Sequence, residues 1–449
     1  MAADADVRPG AMSTRRERVG WYFYDWANSA FFTTVITVFL GPLLGSVAEQ
    51  AADASGRVYP LGIPVAAGSV FAYTVSLSVF LQVFVLPTVG AIADRSSRKK
   101  ELLAVLTYIG AAATLGLVFL TDGRYLLGAG LFLVANIAFG AGVVVYNSFL
   151  PQIADENDRD RVSSIGWAVG YIGGGLLLAV NVAAVLFADS LHLSTGDIAR
   201  YSIASAGVWV AVFATIPLMT LRNRPASAGE ARGSALVDGF RQLGHTLRHL
   251  KTYPLTMWFL IAYLIYNDGI QTVISLASVY ADKELGLDQS IQVETILMVQ
   301  FLAFFGALLM GRLARRYGAW KTILASLVLW TVVLVIAYVL PAGRPTPFVL
   351  LGGLLGIVLG GSQALSRSLF SQLIPQGKEA EYFGLYEISD KGTSWLGPLL
   401  FGLAYQQTGS YRIAIISLIA FFVVGFVVLA TVPIRRAVVA AGNTPPRVL

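Results

Sequence analysis

Cysteine is absent from the 449 residues, and only three histidines occur. Disulfides, thiol catalysis and cysteine-ligated metals are thereby excluded. His192, His245 and His249 fall in expected loops without metal-ligand spacing, so no metal or other cofactor is expected. Charge is scarce too. Asp, Glu, Lys and Arg make up 13% of the chain, where a soluble domain carries about 25%. Apolar residues fill the space, at 56% of the chain and a mean hydropathy of +0.68. Such a composition is built for lipid.

Twelve mostly apolar stretches are long enough to cross a bilayer, near 20–46, 66–91, 102–121, 125–150, 162–188, 200–221, 254–280, 292–313, 320–341, 346–372, 383–406 and 411–432. At 1.5 Å per residue, about 20 residues cover roughly 30 Å of hydrocarbon. Basic residues alternate between the loops. Arg15, Arg16, Arg18, Arg95, Arg98, Lys99, Lys100, Arg222, Arg224, Arg312, Arg315, Arg316, Arg435 and Arg436 share one side, while single charges such as Arg57, Arg124 and Arg344 occupy the other. Positive loops stay inside, so both termini are expected in the cytoplasm of an inner-membrane, multi-pass protein. The pI near 9.4 follows from that topology and requires no nucleic-acid partner. The polar, arginine-bearing first twenty residues do not read as a cleaved signal peptide.

The chain divides into an N-terminal tail (1–19), a six-helix half (20–221), a linker (222–253), a second half (254–432) and a C-terminal tail (433–449). In the linker, Leu236, Phe240, Leu243, Leu247 and Leu250 form one helical stripe opposite Arg241, His245, Arg248, His249 and Lys251. This pattern predicts a helix on the inner membrane surface, with a partner-binding helix as the alternative. The halves repeat weakly. Gly90-Ala-Ile-Ala-Asp94-Arg95 recurs as Gly311-Arg-Leu-Ala-Arg315-Arg316 at an offset of 221, and Leu150-Pro151 recurs as Ile374-Pro375. Glycine runs at 166–175 and 352–356 read as close helix packing.

Two carboxylates stand inside apolar spans: Asp25 in the first and Asp268 in the seventh. An intramembrane acid costs several kcal/mol, roughly 2.5–3.5 on insertion scales, so it marks a protein-lined path. Paired acids in corresponding spans of repeated halves point to a transporter.

The segment Gly90 to Lys100, Gly-Ala-Ile-Ala-Asp-Arg-Ser-Ser-Arg-Lys-Lys, resembles the loop motif of the major facilitator superfamily. Three further segments are Tyr24-Asp25-Trp26-Ala27-Asn28-Ser29-Ala30-Phe31, Tyr266-Asn267-Asp268-Gly269-Ile270-Gln271 and Gly361-Ser362-Gln363-Ala364-Leu365-Ser366-Arg367-Ser368-Leu369-Phe370. Together they resemble the "unknown major facilitator" family, allied to the autophagy-related vacuolar amino-acid effluxers. The resemblance implies an all-α facilitator fold and amino-acid export. The fourth span lacks the arginine, and the fifth the Gly-Pro, that mark drug–proton antiporters.

In the fold so implied, spans 1, 4, 7 and 10 line a central cavity. Their polar residues are Asp25 and Asn28; Asn136, Tyr146 and Asn147; Tyr266, Asn267, Asp268 and Gln271; and Gln363 and Arg367. An amino acid needs an acid for its ammonium and a cation for its carboxylate, roles suited to Asp25 or Asp268 and to Arg367. For Asn136, Asn147 and Gln363, interhelical hydrogen bonding is the alternative. Asp25 has a helix cap or an Arg18 pair as its alternative, and Arg367 has snorkelling to water. Asp25 and Asp268 are also the candidates for coupling to protons or sodium, with uniport the remaining option. A cytoplasmic ionic gate is expected from Asp94, Arg95, Arg98, Asp155, Arg315, Arg316, Glu387, Asp390 and Lys391, each basic loop facing acids of the other half. Its alternative is a set of exposed loop charges, or Glu387 and Lys391 neutralising one another. Trp21, Tyr22, Tyr24 and Trp26 read partly as interface anchors. No nucleophile–base set supports an enzyme. Export of another metabolite or drug, or a non-transporting sensor or scaffold, are the other readings.

Overall fold

In the computed structural model, described over residues 14–225, 253–391 and 396–449, the chain is a helical membrane protein of the expected kind. Eleven helices among the described residues are long and apolar enough to cross a bilayer. They are span 1 (Arg15–Gln50), span 2 (Ala67–Asp94), span 3 (Lys99–Phe119), span 4 (Tyr125–Ile153), span 5 (Arg159–Leu186), span 6 (Thr195–Thr220), span 7 (Pro254–Ala277), span 8 (Glu294–Tyr317), span 9 (Ala319–Val339), span 10 (Pro345–Gln372) and span 12 (Tyr411–Thr431). The position of span 11 holds two helices, Glu379–Lys391 and Leu396–Thr408; the stretch between them lies outside the described residues. So does the amphipathic helix expected at 236–250.

Span 1 starts on a Thr14 cap whose hydroxyl accepts from the Glu17 N–H at 3.3 Å. Midway it widens into a π-helix over Phe31–Phe39, and Thr37 donates to the Phe32 carbonyl at 3.0 Å. A short hairpin, Arg57–Val58 with Val65–Ala66, closes the turn to span 2. There the Asp53 carboxylate accepts from Tyr59 and Ser55, which hold it well below the usual carboxylate range.

The first helix begins, and the chain's last residues lie, on one face. Arg18 donates to the Ile153 carbonyl at 3.0 Å and to Asp158 at 2.9 Å, at the end of span 4. Asn443 donates to the Gln372 and Ile374 carbonyls at 2.9 and 2.7 Å, at the end of span 10. A Cβ built on Gly173 would lie 2.5 Å from the Trp26 carbonyl oxygen, and one on Gly356 would lie 2.8 Å from the Val299 carbonyl oxygen. Glycine thus brings span 5 onto span 1 and span 10 onto span 8, as the runs predicted. The largest buried cluster joins Trp21 and Tyr146 of the first half to Phe259, Tyr266 and Phe370 of the second.

Candidate functional site

Near the termini-bearing end of span 10, Arg367 reaches across to the first half. Its Nη1 and Nη2 donate to Asp25 Oδ2 at 3.1 and 3.2 Å. Nε donates to the Ser163 hydroxyl at 2.9 Å, and Nη2 to the Ser163 carbonyl at 3.0 Å. Nη1 also points at Asn147 Oδ1, 3.4 Å away. The guanidinium carbon stands 4.8 Å from the Trp21 ring centre, 5.4 Å from Trp167 and 5.8 Å from Tyr146. Arginine suits this place, because a planar fork binds in its plane and stacks on its faces. Its side chain is 3% exposed, so it does not snorkel.

Asp25 Oδ2 accepts a third bond, from the Tyr146 hydroxyl at 2.7 Å. Tyr146 is fixed in turn between Trp21 and Tyr24, each stacked at 4.5 Å, while the Trp21 indole donates to the Tyr146 carbonyl at 3.1 Å. Trp21 is fully buried and Tyr24 nearly so; neither is an interface anchor. The expectation failed because both rings turn inward and stack on Tyr146 of span 4. Gly166 leaves room for the pair: a Cβ there would lie 2.7 Å from Asp25 Oδ2 and from the Trp21 ring. Asn147 continues the network, donating to Glu387 at 3.0 Å. Asp25, Tyr146, Asn147, Arg367 and Glu387 therefore form one cluster drawn from spans 1, 4 and 10 and the helix after span 10.

The other expected residues separate. Gln363 donates to Asn267 at 3.0 Å and Tyr266 shares a 2.6 Å bond with Ser366, so this group joins spans 7 and 10 within the second half. Asn136 donates to Ser78 at 2.7 Å, which is interhelical bonding to span 2. Asn28 is buried one turn beyond Asp25, its amide oxygen without a partner among the described residues. Gln271 is half-buried. Asp268 is 1% exposed, and no side chain among the described residues donates to its carboxylate; the backbone N–H of Gly397 faces it. Ser163, Trp21 and Trp167 were not expected; a serine or tryptophan in a span carries no sequence signal for a cation.

At the ends of the spans, Asp94 is 3% exposed and receives Lys99 at 3.0 Å together with the backbone N–H groups of Ala380 and Glu381 at 3.0 and 2.9 Å. It caps the helix Glu379–Lys391 of the other half. Arg95 is half-buried, while Arg98 is 76% exposed and 3.8 Å from Glu101. The pairing expected in the second half does not form. Asp158 binds Arg18, Asp160 accepts from Ser368, and Asp155 accepts the N–H groups of Asn157 and Asp158. Arg315 is exposed with no carboxylate within 4.0 Å among the described residues, and Arg316 lies 5.4 Å over Tyr317. The acids are taken up by nearer donors. The side chains of Asp390 and Lys391 lie outside the described residues.

A family model described as "vacuole effluxer Atg22 like" matches residues 13–442. The chain belongs to this Atg22-like family. It is 31% identical to an uncharacterised MFS-type transporter, YxiO, of Bacillus subtilis, over 94% of this chain and 95% of that one. It is 26% identical to autophagy-related protein 22-1 of Penicillium rubens, over 96% and 91% of the two chains. Among solved structures, the transporter FucP in an outward conformation superposes with a TM-score of 0.67 at 14% identity, covering 92% of this chain and 97% of that one. The human organic anion transporter MFSD10 gives 0.68 at 15%, covering 92% and 99%. The fold is that of the major facilitator superfamily, and this Atg22-like chain is a multi-pass membrane transporter.

Proposed function

We propose that the chain is a secondary transporter that exports amino acids or similar small organic solutes across the cytoplasmic membrane by alternating access. The observation that carries the reading is the Asp25–Arg367 pair, which ties span 1 to span 10 and so one half to the other. A zwitterionic amino acid carries the same two charges. Its carboxylate takes the Arg367 fork and its ammonium takes Asp25, so binding replaces the contacts that latch the halves together. A ligand with this differential affinity shifts the balance between open and closed states. Tyr146 and Asn147 hold the two charges in register, and Asn28 offers an oxygen one turn away. Glu387 and Asp94, with the surrounding basic loops, act as the gate. Export rests on the family's description as an effluxer.

Asp268 serves coupling. A carboxylate that deep without a cation or side-chain donor beside it among the described residues attracts a proton, a sodium ion or a substrate ammonium. The test is thermal stability of the purified protein against an amino-acid panel, with counterflow in proteoliposomes. A ligand that binds only the folded state adds RT ln(1 + [L]/Kd), about 2.7 kcal/mol at hundredfold excess. Particular amino acids should raise stability and drive counterflow in the wild type, and Arg367→Gln should lose both. If no amino acid does either, the cargo is another metabolite and the amino-acid reading fails.

A further inference from the structure

The arginines left over at the second basic loop face a cavity. About 300 Å³ in volume, it lies where span 5 meets span 8, and Arg161, Arg312 and Arg315 stand around it. All three are exposed, and none has a carboxylate within 4.0 Å among the described residues. Ser164 also lines the cavity; it is 2% exposed and its hydroxyl has no hydrogen-bond partner among the described residues. Three cations and a buried hydroxyl without a partner are a donor set for a phosphate oxygen cluster. The lower lining is apolar, formed by Ile165 and Leu308. Leu309 and Phe305 continue down span 8 from Arg312, 46% and 59% exposed. A charged mouth at the end of the spans above an exposed apolar track matches a phospholipid better than a free ion.

We infer that the spans 5 and 8 cavity binds the phosphodiester of an anionic phospholipid through Arg161, Arg312, Arg315 and Ser164. The lipid bridges the two halves, because span 5 belongs to the first and span 8 to the second. They already touch beside the cavity, where a Cβ on Gly311 would lie 2.6 Å from the Ser164 hydroxyl. Whether the bridge favours one transport state rests on the alternating-access reading. The binding itself does not.

The experiment takes the full chain in phosphatidylcholine nanodiscs with rising phosphatidylglycerol, and reads melting temperature and retained lipid by native mass spectrometry. The wild type should retain phosphatidylglycerol and melt several degrees higher. R312Q/R315Q should raise the half-saturating lipid fraction at least tenfold, and Arg161→Gln alone should raise it less. R435Q/R436Q, which removes the same charge from two exposed arginines elsewhere on this face, should leave it unchanged. Equal losses in both double variants mean general surface attraction and overturn the site. If inorganic phosphate in detergent stabilises the protein and displaces the lipid, the ligand is a soluble anion and the lipid assignment fails. Should the double variant not be recovered, the single substitutions carry the same comparison. No step requires transport, so a failed amino-acid assay and a failed lipid assay are separate results.

Discussion

The two junctions between the halves carry the same repeat and do opposite things with it. At spans 2 and 11, Asp94 is buried with Lys99 and receives two backbone N–H groups from the helix Glu379–Lys391. At spans 5 and 8, the residue 221 positions later is Arg315, a cation that cannot accept from a helix N-terminus. The glycine four residues earlier is kept in both, as Gly90 and Gly311, and both permit close approach. One junction is therefore a closed, internally neutralised clasp. The other has the same close packing but an unneutralised charge, which leaves it open to an outside anion. The two copies of the repeat share the steric requirement and differ in the electrostatic one.

Breaking the clasp should have the largest effect. Asp94→Ala removes a helix cap and leaves Lys99, 5% exposed, without its carboxylate. Removing one partner of a buried pair costs about 3–5 kcal/mol. A chaotrope or SDS unfolding series should show a loss in that range. An effect below about 1 kcal/mol, the level of a solvated surface pair, would mean that the clasp is not closed in solution.

The glycines give a finer test. A Cβ on Gly90 collides with the Ala380 carbonyl and lies 2.9 Å from Glu381 Cα, both helix backbone, whereas one on Gly311 meets the Ser164 side chain, 2.6 Å from its hydroxyl and 2.7 Å from its Cβ. The hydroxyl can rotate and has no bond to lose, but the Cβ moves only with span 5. Overpacking costs about 1–3 kcal/mol. Gly90→Ala should fall at the upper end of that range and Gly311→Ala toward its lower end in the same unfolding assay. Equal costs would erase the steric distinction between the two junctions.

The sequence alone made eleven of the twelve expected spans and the depth of Asp25, Asp268 and Arg367 legible, since length, hydropathy and position along a span determine them. Rotation about the helix axis was not legible. Nothing in the segment Gly361 to Phe370 says that Arg367 turns toward span 1 and not toward water; that follows from Gly166, Ser163 and Trp21 leaving a slot of its shape. The repeat announced equivalent loops, yet the change of Asp94 to Arg315 was read as another gate charge. A residue's sign is visible in sequence, but the donor it would have to satisfy is visible only in three dimensions. Likewise Asp155 is a gate acid by its position in the loop and is occupied in the fold, because the backbone N–H groups of Asn157 and Asp158 lie nearer than the second basic loop.

The smallest effects concern the exposed arginines, and there the comparison sharpens. Arg98 belongs to the clasp loop and is 76% exposed, with only Glu101 at 3.8 Å. Arg315 is exposed with no acid within 4.0 Å among the described residues. In detergent without added lipid, Arg98→Gln and Arg315→Gln should each change stability by no more than about 0.5 kcal/mol, as surface substitutions do. Anionic lipid should then separate them. Around Arg98 the clasp already supplies its own counter-charges, so the variant should respond as the wild type does. Around Arg315 the counter-charge has to come from outside, so that variant alone should lose part of the lipid-dependent rise in melting temperature. Two substitutions of the same kind, silent in detergent, would thus report which copy of the repeat is electrostatically complete.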